Sequence, residues 1–207
     1  MSKHDWYRNA EWSPEIETRF MAKLKRARDK PQYLKIQASY LAESDPTVAL
    51  RLLEHYFELG DDFDLASAYG VQATAYIALG MIEQAVGAYE AALNRESDFP
   101  KYLTDAYLNL PCLIITQSIE SKYSDAIALL NNMQHRLLFP VDHYKWNAAM
   151  AVLTARSGSA SEAQSYARAA LEATKLEKSG FRYHPNIGLF SEKKTDKALY
   201  DAVEQIA

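Results

Sequence analysis

Four alanines recur along the chain at intervals that match the length of a two-helix unit. Ala49, Ala85, Ala126 and Ala163 are 36, 41 and 37 residues apart, and a polar or acidic lead precedes each of them. The apolar residues before and after each alanine have helical spacing. A period of roughly 20–50 residues is typical of proteins built from stacked supersecondary units. The recurrence therefore predicts an all-α fold of about four helix–turn–helix repeats.

Apolar spacing is helical along most of the chain, and no run alternates for long enough to predict a strand. Ser13 and Pro14 are typical of a helix start, since the hydroxyl caps the helix and proline needs no N–H in the first turn. Pro111 predicts a kink or break, or else the start of a new helix. After the first helix we predict helices at about 31–43, 46–59, 65–79, 82–95, 101–119, 123–137, 141–157, 160–176 and 194–206.

Residues 66–99 resemble the tetratricopeptide repeat (TPR), a helix–turn–helix unit of about 34 residues. Residues 30–63, 107–140 and 144–177 match the pattern in part, and Gln37 replaces the small residue that the first of them would need. The residues that carry the full match are Tyr69, Ala73, Tyr76, Gly80, Ala85, Tyr89 and Ala92. In such a unit, small residues let the two helices cross closely, and stacking of successive units makes the core.

The resemblance implies a TPR-like solenoid, an α–α superhelix that forms one domain over residues 1–207. It would consist of an N-terminal cap with a capping helix (1–29), the repeats (30–177), and a C-terminal tail and helix (178–207). The stretches DWYRNAEW, KLKRARDKPQYLKIQASYL and SGFRYHPNIGL are also similar to an uncharacterised bacterial group of TPR proteins. That similarity implies a bacterial origin and no particular activity.

The composition is that of a soluble globular chain, with 48% apolar and 24% charged residues. No uncharged apolar stretch approaches the roughly 20 residues that span a bilayer, and the N-terminal residues show no secretory signal. We therefore expect a cytoplasmic protein. Cys112 is the only cysteine, so neither an internal disulfide nor a cysteine-based metal site is expected. Because it lies in the apolar run LPCLII, we expect a buried, unreactive thiol.

The net charge of −4 is unevenly distributed, with +4 on residues 1–40 and −9 on residues 41–100. Arg19, Lys23, Arg26 and Lys30 step by four, three and four, which predicts one basic face on the first helix. Such a face is able to bind phosphates, which gives an alternative function as a nucleic-acid-processing enzyme or RNA-binding factor. The other interpretation is a solvated face, or one that packs near the acidic region.

No assembled catalytic set is present in the sequence. There is no glycine-rich phosphate loop, no nucleophile elbow, and no histidine or cysteine spacing for a metal. Arg136 and His143 are spaced as in the Arg-x(4–6)-His motif of HEPN ribonucleases, and this short resemblance implies an arginine for phosphate and a histidine for acid–base work. We predict a protein that is not an enzyme and has no cofactor or metal.

Two aromatic segments flank the predicted repeats. Trp6, Tyr7 and Trp12 precede the first helix, and we expect them to fold back and cap the exposed end of the stack, with a partner-binding arm as the alternative. Residues 178–190 hold Gly and Pro among apolar side chains, which predicts a non-helical segment. It is expected to pack as an end-cap or to lie in a groove with Arg182 and His184 facing a ligand.

The inner wall of the predicted array is mostly small and apolar, which suits an extended peptide. We predict a non-enzymatic protein–protein interaction module that binds a peptide or protein segment, with a homodimer as a further possibility. The candidate partner-binding residues are Thr74, Ile77, Ile115, Ser118, Val152, Arg182 and His184.

Overall fold

The computed structural model describes residues 5–60 and 62–207, so residues 1–4 of the predicted cap and Asp61 lie outside it. This part of the chain is all-helical and contains no strand, which confirms the predicted all-α class. None of its helices combines the length and apolarity needed to cross a bilayer. The helices are α1 (Pro14–Arg26), α2 (Lys30–Leu41), α3 (Pro46–Glu58), α4 (Leu65–Ala78), α5 (Ile82–Asp98), α6 (Ala106–Thr116), α7 (Tyr123–Met133), α8 (Pro140–Arg156), α9 (Ala160–Thr174) and α10 (Lys197–Ile206).

Polar side chains fix the starts of several helices. The Ser13 hydroxyl accepts a hydrogen bond from the backbone N–H of Ile16 at 3.3 Å, which confirms the predicted cap of α1. Asp29, Asp45 and Asp196 cap α2, α3 and α10 in the same way. Each cap satisfies a backbone donor that has no partner within its helix.

The chain divides into two compact units, residues 1–106 and 107–207. In the first unit, α2 packs against α3 and α4 packs against α5, and both α2 and α3 also contact α4. Helix α1 and the short turn at residues 5–7 pack against α2. The core of this unit is therefore built from two helical hairpins and an N-terminal cover.

The second unit is organised around the pair formed by α8 and α9. Helix α7 packs against α8, and the Trp146 indole N–H donates to the backbone oxygen of Leu130 at 2.9 Å. The Lys145 ammonium donates to Asn109 at 2.8 Å and links α8 to α6. Helix α10 lies against both α8 and α9, burying Leu199 and Val203.

The four recurring alanines occupy the same position in four helices. Ala49, Ala85, Ala126 and Ala163 are each the fourth residue of α3, α5, α7 and α9, and none is more than 1% exposed. The residues four positions later and twelve positions earlier are also buried in every repeat. They are Leu53, Tyr89, Leu130 and Ala167, and Gln37, Ala73, Ile114 and Ala151. The spacing of these residues in the sequence thus matches the spacing of buried positions in the structure.

Three of the helices end in the same left-handed turn. Gly80 after α4 and Gly158 after α8 have φ values of 72° and 90°, and Ser118 after α6 has a φ of 53°. In each case the next residue donates its N–H to a carbonyl five residues back, at 2.9–3.2 Å, as in a helix-terminating Schellman turn. The turn before α5, α7 and α9 is therefore common to three predicted repeats.

Helix α6 continues through Pro111, so the predicted break at that residue is wrong. Proline removes one backbone hydrogen bond, but the apolar residues on both sides of it are buried and hold the helix together. The helix is shorter than the predicted 101–119. It begins at Ala106 and ends at Thr116.

Candidate functional site

The predicted inner-wall residues differ widely in exposure. Ile115 and Val152 are 4% and 5% exposed and belong to the core of the second unit. Thr74 is half-buried, and its hydroxyl donates to the backbone oxygen of Gly70 at 3.2 Å. Ile77 is 37% exposed, and Ser118 is exposed in the turn after α6. Ile77 and Ser118 are thus the members of this set that present an exposed side chain, and the binding role of all five stays a prediction.

The predicted basic face is shorter than expected. Arg19, Lys23 and Arg26 lie on α1 and are exposed, but Lys30 is the first residue of α2. Placing Lys30 on the first helix was wrong, because the backbone turns to an extended conformation at Ala27 and Asp29 caps a new helix. Three cations of the predicted face therefore share α1, with the Lys23 ammonium 5.9 Å from the centre of a Trp6 ring.

Acidic residues also contribute to the charge around α1. Glu17 accepts hydrogen bonds from the Trp12 indole at 3.0 Å and from Arg51 at 2.8 Å. The indole bond is the main cause of a lowered pKa at Glu17, and Arg51 adds to it. A second ion pair joins Lys35 to Asp64 at 2.8 Å. Two ion pairs thus link the basic N-terminal region to the acidic region that follows it.

The N-terminal aromatic residues fold back as predicted. The rings of Trp6 and Tyr7 lie 5.0 and 4.7 Å from that of Tyr33, and Trp12 lies 5.6 Å from Phe20. These rings cover one side of α1 and α2. The predicted folding back is therefore confirmed for this segment, whereas its role as the end-cap of a repeat stack stays a prediction.

Gln37 fastens this segment to α2. Its amide oxygen accepts from the Asn9 backbone N–H at 3.0 Å and from the Asn9 side chain at 2.7 Å. Its amide nitrogen donates back to the Asn9 carbonyl at 2.8 Å. Gln37 is fully buried, so the residue that breaks the small-residue pattern is satisfied by the backbone of the N-terminal segment.

Residues 179–187, named here the C-terminal loop, form a turn closed by its own hydrogen bonds. The buried Ser179 donates its backbone N–H to the Pro185 carbonyl and its hydroxyl to the His184 carbonyl, both at 2.8 Å. The Phe181 N–H donates to the Ser179 hydroxyl, and the Ile187 N–H donates to the His184 carbonyl. The predicted non-helical segment therefore has a defined conformation.

The loop exposes three large apolar side chains. Phe181, Tyr183 and Ile187 are 43%, 79% and 49% exposed, and Arg182 and His184 are exposed beside them. Residues 178–191 contain no Asp or Glu. The loop is thus an apolar and cationic surface.

The residues after the loop dock on the start of α8. The Val141 N–H donates to the Gly188 carbonyl at 2.9 Å, and a Cβ at Gly188 would lie 2.4 Å from the Phe139 side chain. The Phe190 ring lies 4.6 Å from that of Tyr144. Residues 178–190 were predicted either to pack as an end-cap or to lie in a groove. These contacts agree with the packed end-cap.

Near this segment, the thiol of Cys112 and the hydroxyl of Tyr144 both favour their neutral, protonated forms. Burial raises the pKa of the half-buried Cys112 thiol to about 11. Burial also raises the pKa of Tyr144, whose hydroxyl has no hydrogen-bond partner among the described residues. The raised pKa of Cys112 favours the thiol over the reactive thiolate, although its side chain is half-buried rather than buried as expected.

Arg136 and His143 lie in different surroundings, and the HEPN-like role of the pair is not tested. The Arg136 guanidinium lies 4.2 Å from the centre of the Tyr107 ring, and His143 is exposed on α8. Within residues 5–60 and 62–207, no group of three or more His, Cys, Asp or Glu side chains is arranged to hold a metal ion.

Sequence reasoning missed one exposed aromatic cluster in the first unit. Phe63, Phe99, Tyr102 and Leu103 are 59%, 44%, 39% and 56% exposed. They lie in the segments between helices, where the stretches GDDFD and DFPKYLTD hold aromatic residues between aspartates. The aromatic residues within these acidic segments are the sequence signal that could have predicted the cluster.

The chain was compared with protein-family models, with curated proteins and with solved structures, and no match was found in any of the three.

Proposed function

We propose that this chain is a TPR-like helical-repeat protein that binds a peptide or protein segment of a partner and catalyses no reaction. The register of the four alanines and the shared turn after α4, α6 and α8 support the repeat architecture. Repeat proteins commonly offer extended surfaces to partners. A bacterial origin and a cytoplasmic location stay predictions.

The C-terminal loop is the observation on which this function depends. Its hydrogen bonds hold Tyr183 and Ile187 outward, although large apolar side chains gain free energy when they leave water. A loop that is already ordered loses little conformational entropy on binding. Arg182 and His184 then supply polar contacts at the rim of the same surface.

The test is affinity capture from the native cell with three versions of the full chain. We expect the wild type to retain partner proteins that the Arg182→Ala/Tyr183→Ala variant loses. The control is Arg28→Ala/Tyr40→Ala, which removes the same two residue types from exposed positions in the first unit. Because all four side chains are exposed, both variants should have the circular dichroism spectrum of the wild type.

Recovery of the same proteins with all three versions would contradict a role of the loop. The alternative RNA-binding function is tested separately by fluorescence anisotropy with single-stranded RNA at about 50 mM salt, where phosphate contacts are strongest. RNA binding that is lost in an Arg19→Ala/Lys23→Ala/Arg26→Ala variant would favour the alternative.

A further inference from the structure

The exposed aromatic cluster of the first unit forms a second surface with its own chemistry. We name it the acidic platform and define it by Phe63, Phe99, Tyr102 and Leu103. The Phe63 and Tyr102 rings contact each other with their centres 4.6 Å apart. The Tyr102 N–H donates to the Phe99 carbonyl at 3.1 Å, so a turn presents these two residues together.

Two neighbouring residues at the end of α5 hold the platform in place. The Arg95 guanidinium donates to the Asp62 carbonyl at 2.8 Å and lies 3.6 Å from the centre of the Phe99 ring. The buried Glu96 accepts the Thr104 N–H at 2.7 Å. The segment before α4 and the segment after α5 are thereby fastened to the same helix end. The exposed rings are therefore pre-positioned rather than carried on unattached loops.

The platform lies in the most acidic part of the chain. Residues 58–64 and 95–105 together carry seven Asp/Glu and two Lys/Arg, a net charge of −5. Residues 1–106 as a whole also have a net charge of −5, with 17 acidic and 12 basic residues. Among these groups, Glu58, Asp98 and Asp105 are exposed carboxylates, the exposed Asp62 pairs with Arg95 at 3.4 Å, and Lys101 is an exposed cation. The net accessible charge beside the rings is therefore negative.

This combination identifies the chemistry of the ligand. Carboxylates repel the phosphates of nucleic acids and anionic lipids, so neither fits this surface. Cationic side chains are attracted both by the carboxylates and by the faces of the Phe63 and Tyr102 rings. We infer that the acidic platform binds a basic segment of a partner protein that carries aliphatic or aromatic anchor residues.

This inference goes beyond the proposed function, because it concerns the other unit and the opposite charge. The experiment uses fluorescence anisotropy of the full chain with three labelled peptides of about twelve residues. The first alternates Lys/Arg with Leu/Trp, the second replaces Lys/Arg by Glu, and the third replaces Leu/Trp by Ser. We expect binding of the first peptide at least about fivefold tighter than of the other two. It should weaken severalfold between about 50 and 500 mM salt, because exposed charges are screened.

Variants then locate the binding. Asp98→Asn/Asp105→Asn should weaken binding of the first peptide at least about fivefold, and Phe63→Ser/Tyr102→Ser should weaken it further. The matched control is Tyr40→Ser/Leu176→Ser, which changes side chains that are 47% and 50% exposed elsewhere and should bind as the wild type does. Because the aspartates are exposed, the Asn variant tests the proposal even if the aromatic variant fails to fold.

Equal binding of the acidic peptide, or undiminished binding by both platform variants, would overturn the inference. Labelled single-stranded RNA and vesicles that contain anionic lipid are tested for direct binding to the chain, because either would also bind a basic peptide. RNA or vesicle binding that is lost in the Phe63→Ser/Tyr102→Ser variant would also overturn the inference. The Arg182→Ala/Tyr183→Ala variant should bind the first peptide as the wild type does. Loss of binding in that variant alone would instead locate the site at the C-terminal loop.

Discussion

At the scale of single residues, Gln37 shows how one side chain replaces the packing role of another. The equivalent residue of the next hairpin is Ala73, and both are fully buried. An alanine satisfies that position by its small size, whereas Gln37 satisfies it by accepting two hydrogen bonds from Asn9 and donating one to the Asn9 carbonyl. This buried position therefore accepts either a small residue or a hydrogen-bonded glutamine, and the glutamine requires the N-terminal segment.

We expect Gln37→Ala to lower the free energy of unfolding by about 1–3 kcal/mol, because it leaves the Asn9 groups unpaired and opens a space. Urea denaturation followed by tryptophan fluorescence measures the loss, and Trp6 and Trp12 should become more exposed. The control Gln32→Ala changes an exposed side chain of the same helix and should stay within about 0.5 kcal/mol of the wild type. Equal stability of both variants would show that the Asn9 contact adds nothing.

Ser118 is a second residue whose role depends on its backbone. Its φ of 53° lies in the left-handed region, where Gly80 and Gly158 occupy the matching turns. A residue with a Cβ is strained there by about 1–2 kcal/mol. The sequence suggested a binding residue at this position, and the backbone places Ser118 in a helix-terminating turn where glycine would be less strained.

We expect Ser118→Gly to raise the free energy of unfolding by roughly 0.5–1 kcal/mol, since the relief of strain exceeds the entropy that glycine loses. Thermal denaturation measures the change. Ser124→Gly makes the same substitution at an exposed, right-handed position in α7 and should lower stability by a similar amount. A loss of stability in both variants would argue against strain at residue 118.

At the scale of elements, helix pairing follows from the placement of small residues. The fourth position of α3, α5, α7 and α9 is a buried alanine in each helix. A methyl group at that position lets the partner backbone come close, while a larger group would push it away. We therefore expect the two helices of each hairpin to approach closely at the start of the second helix.

We expect Ala85→Leu and Ala163→Leu to lower the free energy of unfolding by about 1–3 kcal/mol each through overpacking. The controls are Gln84→Leu and Gln164→Leu, which add the same side chain one residue earlier or later at exposed positions. Urea midpoints compare each pair of variants. If a leucine at 85 or 163 is tolerated as well as its control, close packing at these positions is not what pairs the helices.

At the scale of the whole molecule, the sequence predicted the helices far better than the surfaces. Helix bounds agree within a few residues at α3, α4 and α9, because apolar period, caps and turn glycines are all local signals. The predicted basic face was wrong at Lys30. The helical spacing of the cations continues across Asp29, although Asp29 caps a new helix there.

Exposure was harder to predict because it depends on contacts between distant residues. Ile115 and Val152 have the right spacing for an inner wall, but other helices of their unit cover them. Arg182 and Tyr183 are exposed because Ser179 closes the loop behind them, and no spacing rule describes that bond. The acidic platform was missed for the same reason, since it joins two segments that are about forty residues apart.

The substitution at Gln37 also affects how such a chain is recognised by sequence. A family profile scores each aligned position for the residue types that usually occur there, and a small residue is expected at the place of Gln37. The amide that fastens the N-terminal segment would therefore lower the score of this position, although Gln37 is as fully buried in the α2–α3 hairpin as Ala73 is in the α4–α5 hairpin. A profile that scored residues 9 and 37 together would recognise that Asn9 compensates for the glutamine at position 37.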